Sequence, residues 1–198
     1  MRPHLIGLYS SAAGAGKSTV AEMLGRHGYT TLSFATPIKQ MLATLFTELG
    51  YAPNEIDSLI YANKEQAIDK IHPRTSVRHL LRTLGTEWGR QCVHPHIWLT
   101  VWKERKRRLD IEAQASTNQD SYIVVDDVRF ANEADFIRSL GGHMWQITRP
   151  GTHTVIPHAS EGSLNTYAHF TQTLENDSTL ADLETTISHA LHAAPVLP

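Results

Sequence analysis

A single cysteine, Cys92, stands among 198 residues, so no disulfide framework can staple this chain internally. Long apolar runs are missing too, as is any secretory-type leader, which leads to the expectation of a cytoplasmic protein without a membrane partner. Neither sign of charge dominates: 18 basic residues face 20 acidic ones, for a net charge of −2. That balance excludes general electrostatic attraction to nucleic acid, so any anion must be held by a local cluster and should be small. Low-complexity linkers and solenoid-period repeats are also lacking. A chain of this length can bury one core, and the expectation is one domain over 1–198.

What is present begins with Ser11-Ala12-Ala13-Gly14-Ala15-Gly16-Lys17-Ser18-Thr19. Small residues let consecutive backbone N–H groups curl around phosphate oxygens, and a helix starting there adds its positive end. Lys17 would reach the outer phosphates and the Ser18 hydroxyl would hold Mg²⁺. Ser11 stands where the pattern G-x-x-x-x-G-K-[ST] has its first glycine, a departure that leaves a small residue in place. The flanks agree with a phosphate loop. His4 to Tyr9 is a short apolar run suited to a buried parallel strand, and Val20, Ala21, Met23 and Leu24 then recur at helical spacing until Gly28.

Further along, Thr31 to Ala35 predicts a second strand, and Pro37 suits the first turn of a helix toward Leu49. A short helix is expected over Pro53 to Tyr61 and an irregular surface connection over Lys64 to Pro73. Ser76 to Arg90 predicts a helix that buries Val77, Leu80, Leu81 and Leu84, with Arg78 and Arg82 one turn apart on another face and able to converge on one anion. Another helix is expected from Ile97 to Leu109. Its basic run Lys103 to Arg108 reads as a solvated helix end, and Glu112 to Asp120 reads as a polar loop. Tyr122 to Val125 is a β-branched strand ending in Asp126-Asp127; a helix over Ala131 to Leu140, a strand over Met144 to Ile147 and a C-terminal helix from about Thr179 to His192 follow. Alternating strands and helices predict an α/β three-layer sandwich, its mostly parallel sheet covered by helices on both faces, with ligands at the carboxyl ends of the strands.

A carboxylate at the end of a buried strand is what a phosphate loop calls for, near Mg²⁺ or the attacking group. Asp127 is the first choice and Asp126 the second; the bland alternative is a helix cap or turn. Gathering phosphates from two nucleotides also requires cations, for which Arg78, Arg82, Arg90, Arg129 and Arg149 are available. Trp88 reads as core packing, whereas Trp98 could stack on a base. The Cys92-His94-His96 group and His153 with His158 lack a structural-zinc spacing; His158 reads as ordering the turn at Ser160-Glu161.

The block from Ser76 through Gly85-Thr86-Glu87-Trp88-Gly89-Arg90, followed by Trp98, resembles the central block of bacteriophage deoxynucleoside monophosphate kinases. Other segments resemble that family in the same order: Phe34 to Lys39, Asp127 to Glu133 with its Asp-x-Arg motif, Arg149-Pro150-Gly151, His158 to Glu161, and Asn176 to Leu180. The resemblance spans nearly the whole chain. It implies a P-loop kinase fold and transfer of the ATP γ-phosphoryl group to a deoxynucleoside 5′-monophosphate. It places ATP on Ala13, Gly14, Ala15, Gly16, Lys17, Ser18, Thr19 and Arg149, and Mg²⁺ on Ser18 and Asp127. The acceptor falls to Arg78, Gly85, Thr86 and Trp98 on one wall and Asp127, Arg129 and Glu133 on the other, with Arg82 a further acceptor candidate from its spacing one turn from Arg78. Lys17, Arg78, Asp127 and Arg129 form the catalytic set. It further implies a helical acceptor region over about 37–110, a lid over about 149–167, a location in the infected bacterium for a phage-encoded chain, and a homodimer, since related kinases are often dimers. Arg82 occupies a position where family members often carry Gln, so base preference does not transfer. Two alternatives stay open: a P-loop kinase for another small acceptor, and an ATP-binding regulator without transfer activity.

Overall fold

The computed structural model describes residues 2–117, 121–151 and 164–193. In chain order they form β1 (Leu5–Tyr9), α1 (Lys17–Arg26), β2 (Thr30–Thr31), α2 (Thr36–Glu48), α3 (Pro53–Asp57), β3 (Ala67–Ile68), β4 (His72–Ser76) and α4 (Val77–Arg82). Then come α5 (Ile97–Thr117), β5 (Ile123–Val125), α6 (Ala131–Ser139), β6 (His143–Thr148), β7 (Gln172–Glu175) and α7 (Leu180–Ala193). Two further stretches, Ser58–Ala62 and Thr83–Val93, are wide π-helical turns. The residues before Ala35 together with those from Trp102 onward make one compact unit, and Ala35–Val101 makes a second.

The first unit is an α/β sandwich. Its sheet runs β2-β5-β1-β6-β7, and every neighbouring pair is parallel. All five residues of β1 are buried, the signature of a strand covered on both faces. One face carries Ile6, Leu8, Val124, Trp145, Ile147 and Leu174 against the apolar stripes of α1 (Val20, Met23, Leu24) and α7 (Leu183, Ile187, Leu191). On the other face, Ile137 of α6 approaches Gly7, and Trp102 of α5 meets Phe34 and Phe136 edge-on or tilted, with centroids 5.7 Å away in each case. The sheet, its parallel direction and its helix cover on two sides agree with the reading from sequence.

The second unit is mainly helical. Ile38, Leu42 and Phe46 of α2, spaced four apart, point one stripe inward. Leu42 and Phe46 join Ile56, Leu59, Ile60, Ile68 and Val77 in a separate core.

Three local expectations differ from the structure. The second strand stops at Thr31, because beyond the Leu32 N–H to Val124 carbonyl bond of 2.9 Å the Phe34 N–H turns to the Asp127 side chain. Lys64 to Pro73 is not irregular throughout: Ala67–Ile68 pairs antiparallel with His72–Ser76. The helix from Ile97 continues to Thr117, well past Leu109 and into the supposed loop at Glu112. Its polar residues are good helix formers, and Lys106 to Asp110 spans one turn as an ion pair at 2.6 Å.

Gly7 owes its place in β1 to close approach. A Cβ there would lie 2.6 Å from Met144 Sδ and 2.7 Å from Ile137 Cδ1. Gly7→Ala should therefore lower stability by about 1–3 kcal/mol through overpacking, read as a lower urea midpoint at unchanged slope. An unchanged midpoint would contradict this packing.

Candidate functional site

Parallel register brings the strand ends of the first unit to one edge. Thr31 pairs with Val124, Gly7 with Val125, Tyr9 with Gln146, and Thr148 with Glu175. The residues that follow, Ser33, Asp126, Ser10, Arg149 and Asn176, consequently leave the sheet at its carboxyl edge, where ligands of parallel sheets bind.

The loop from Ser10 to Gly16 joins β1 to α1 at this edge. Gly14 and Gly16 take left-handed φ values of 77° and 107°, which favour glycine. Lys17 Nζ donates to Ser10 Oγ, which in turn donates to the Ala12 carbonyl at 2.9 Å. The ladder of α1 starts from the Gly16 carbonyl, accepting from Val20 N–H at 2.9 Å. No acidic residue occupies the first turn of α1, so its amide end repels no anion. Ala13, Gly14 and Ser18 are exposed, while Ala15 is buried.

Asn176 braces this loop from behind. Its side-chain amide donates to the Ala15 carbonyl at 3.0 Å, and its backbone N–H donates to Thr148 at 2.8 Å. A Cβ on Gly16 would lie 2.4 Å from Asn176 Nδ2. Nothing in the local pattern assigned this role; a residue 161 positions away in sequence meets the loop only through the β6–β7 pairing.

Both strand-end aspartates are anchored. Asp126 Oδ1 accepts from Ser33 Oγ at 2.6 Å, and Asp127 Oδ1 accepts from Phe34 N–H at 2.8 Å. The basic run on α5 is mostly what it seemed: Glu104 pairs with Arg107 and Arg108, Lys106 pairs with Asp110, and Lys103 is exposed. Arg105 is the correction. It turns inward and donates from Nη1 to the Ser33 carbonyl at 3.0 Å. Burial pushes its pKa down, opposed by the charge of Asp127.

Glu133 is 1% exposed, and its carboxylate accepts from the backbone N–H groups of Arg129 (2.7 Å) and Phe130 (3.0 Å), capping α6. Arg129 and Arg149 expose their side chains.

The remaining predicted residues belong to the second unit. Arg78 pairs through Nε with Glu65, donates its backbone N–H to Lys64 at 2.8 Å, and lines a polar recess of about 360 Å³ with Tyr61, Asn63, Lys64 and Gln66. Arg82 is exposed and does not line that recess, so the structure does not bring the two arginines to it together. The Gly85 carbonyl accepts from Trp98 Nε1 at 2.8 Å and from Arg90 Nη1 at 2.7 Å, while Thr86 is half-buried. Trp88, read as core packing, is 43% exposed, whereas Trp98 is 3% exposed. The π-helical register brings Gly89 against the Trp98 ring, where a Cβ would sit 2.6 Å from the indole. Both rings line an apolar groove of about 460 Å³ with Pro37, Met41 and Ile97, and with Gln40 and Thr44 as its polar members. His153, His158, Ser160, Glu161 and most of the expected lid lie outside the described residues.

Residues 48–187 match the family model described as deoxynucleotide monophosphate kinase. The chain is 31% identical over 188 residues to a protein of Acanthamoeba polyphaga mimivirus provisionally named a deoxynucleotide monophosphate kinase, covering 90% of this chain and 91% of that one. It is 35% identical over 80 residues to the deoxynucleoside-5′-monophosphate kinase of Escherichia phage T5, covering 40% of this chain and 28% of the phage protein. Among solved structures, TT1252 from Thermus thermophilus superposes with a TM-score of 0.48 at 20% identity (98% of this chain, 100% of that one). A dephospho-CoA kinase from Campylobacter jejuni gives 0.45 at 16% identity, with 96% of each covered.

Glu133→Ala leaves two capping N–H donors without their acceptor and should cost about 1–3 kcal/mol by urea unfolding; wild-type stability would contradict the capping role. Hydrogen bonds from Arg107 and then Arg108 hold the Glu104 carboxyl down at about 2 in the folded chain. Its ion pairs therefore contribute stability above the ordinary carboxylate range and lose it as pH falls toward 2. Urea midpoints should drop more steeply with acidification for the wild type than for Glu104→Gln, and parallel curves would deny the pairing.

Proposed function

Because the chain belongs to the deoxynucleotide monophosphate kinase family, we propose that it transfers the γ-phosphoryl group of ATP to the 5′-phosphate of a deoxynucleoside monophosphate, giving the diphosphate. One observation carries the donor half: Lys17, tied to Ser10, stands at the start of α1 behind a loop whose Gly14 and Gly16 adopt left-handed backbone. Ala13 through Thr19 hold the ATP phosphates, with Arg149 added from the end of β6. Ser18 and Asp127 offer hard oxygen donors of the kind Mg²⁺ accepts, and bound Mg²⁺ supplies charge neutralisation on the phosphates.

An acceptor phosphate is already anionic near neutral pH, so the protein aligns and neutralises and needs no strong general base. Asp127 organises the acceptor side of the carboxyl edge, and Arg129 supplies positive charge beside it. Glu133 acts through the Arg129–Phe130 backbone that it holds. Arg78 grips the acceptor phosphate; Gly85 and Thr86 serve the acceptor from the turn that follows, and Arg82 adds positive charge from outside the recess that Arg78 lines. Trp98 contributes its ring as a wall, since its indole N–H is committed to the Gly85 carbonyl.

Incubation with Mg-ATP and a panel of natural and base-modified deoxynucleoside monophosphates should yield diphosphates. Lys17→Ala should reduce turnover by about 10²–10³-fold with the circular dichroism spectrum retained. Arg78→Ala should chiefly raise the KM for the acceptor. ATP binding without any diphosphate across the panel would overturn the assignment.

A further inference from the structure

Among the six residues from Lys103 to Arg108, Arg105 alone reaches the carboxyl edge of the sheet. The group that it contacts gives this meaning. The Ser33 carbonyl that accepts from Arg105 Nη1 at 3.0 Å and the Phe34 N–H that donates to Asp127 Oδ1 at 2.8 Å belong to one peptide unit. A guanidinium on the oxygen side and a carboxylate on the nitrogen side polarise that planar unit in the same sense, so each bond strengthens the other. Trp102, one turn earlier on α5, donates to the Leu32 carbonyl at 2.7 Å, and thus two residues three apart on one helix face grip consecutive carbonyls at the end of β2. Next to them, Ser33 Oγ fastens Asp126.

β2 pairs over only two residues and is an edge strand of the sheet. Ladder bonds alone leave the segment after it weakly held, and Ser33–Phe34 owes its position to these side-chain anchors. The geometry points to Arg105 as a positioning residue for phosphoryl transfer: through the Ser33–Phe34 peptide it fixes the orientation of the Asp127 carboxylate. This inference rests on the role of Asp127 proposed above. It accounts for a partly buried arginine in a run whose other cations are spent on surface pairs or solvent.

The test is a double-mutant cycle on kcat with Mg-ATP and a monophosphate accepted by the wild type. Arg105→Ala should lower kcat by about 10–100-fold, the usual effect of removing a residue that orients a ligating carboxylate. The KM values for both substrates should stay within about threefold, and Arg105→Lys, which keeps a donor for the Ser33 carbonyl, should restore most of kcat. On an Asp127→Asn background, Arg105→Ala should cost little more, because the group it orients is already disabled. Fully multiplicative losses would overturn the proposal, as would an Arg105→Ala enzyme that loses thermal stability but keeps wild-type kcat. Wild-type kcat in Asp127→Asn would instead overturn the role of Asp127 itself, which separates the two failures.

Discussion

Within the first unit, the candidate site depends on β1 pairing in parallel with β5 on one side and β6 on the other. A parallel partner on each flank sends five chain segments out of the same edge, and this is why Ser10, Asp126, Ser33, Arg149 and Asn176 can serve one region although they span most of the sequence. The price of that arrangement is a strand buried on both faces, met by the apolar run Leu5 to Tyr9 and by the absence of a side chain at Gly7.

Around that edge, supporting groups hold the residues proposed to meet the substrates. Asn176 fills the space that a Cβ on Gly16 would need, Ser10 holds Lys17, Glu133 secures the amides of Arg129 and Phe130, and Arg105 secures the peptide that holds Asp127. None of these supporting bonds consumes a backbone amide of the exposed loop residues Ala13 and Gly14, the groups a phosphate would engage first. Such preorganisation matters for phosphoryl transfer, where alignment and fixed charge supply most of the rate enhancement.

The parallel sheet, the loop and the strand-end aspartates were legible in the sequence because each leaves a local mark: an apolar run, a glycine spacing, a carboxylate after β-branched residues. Family membership was legible for a different reason, the order of several motifs along the whole chain. What escaped depends on distant partners. Arg105 looks identical in sequence to its solvated neighbours, and only the edge of β2 distinguishes it. Trp88, read as core packing, is exposed because the π-helical turn over Thr83–Val93 shifts the register that a 3.6-residue period assumes. The helix continuing to Thr117 was hidden by polarity, which marks exposure more reliably than it marks loops.

In the proposed reaction, nucleotide phosphates bind at this carboxyl edge, cradled by the loop after β1. Amide hydrogen exchange with and without Mg-ATP tests it directly. Binding at the edge predicts slowed exchange at Ala13 to Thr19, with Ser33–Phe34 and Asp126–Asp127 slowed as well, and loss of that protection in Lys17→Ala. Protection absent from the loop, or unaffected by Lys17→Ala, would contradict it.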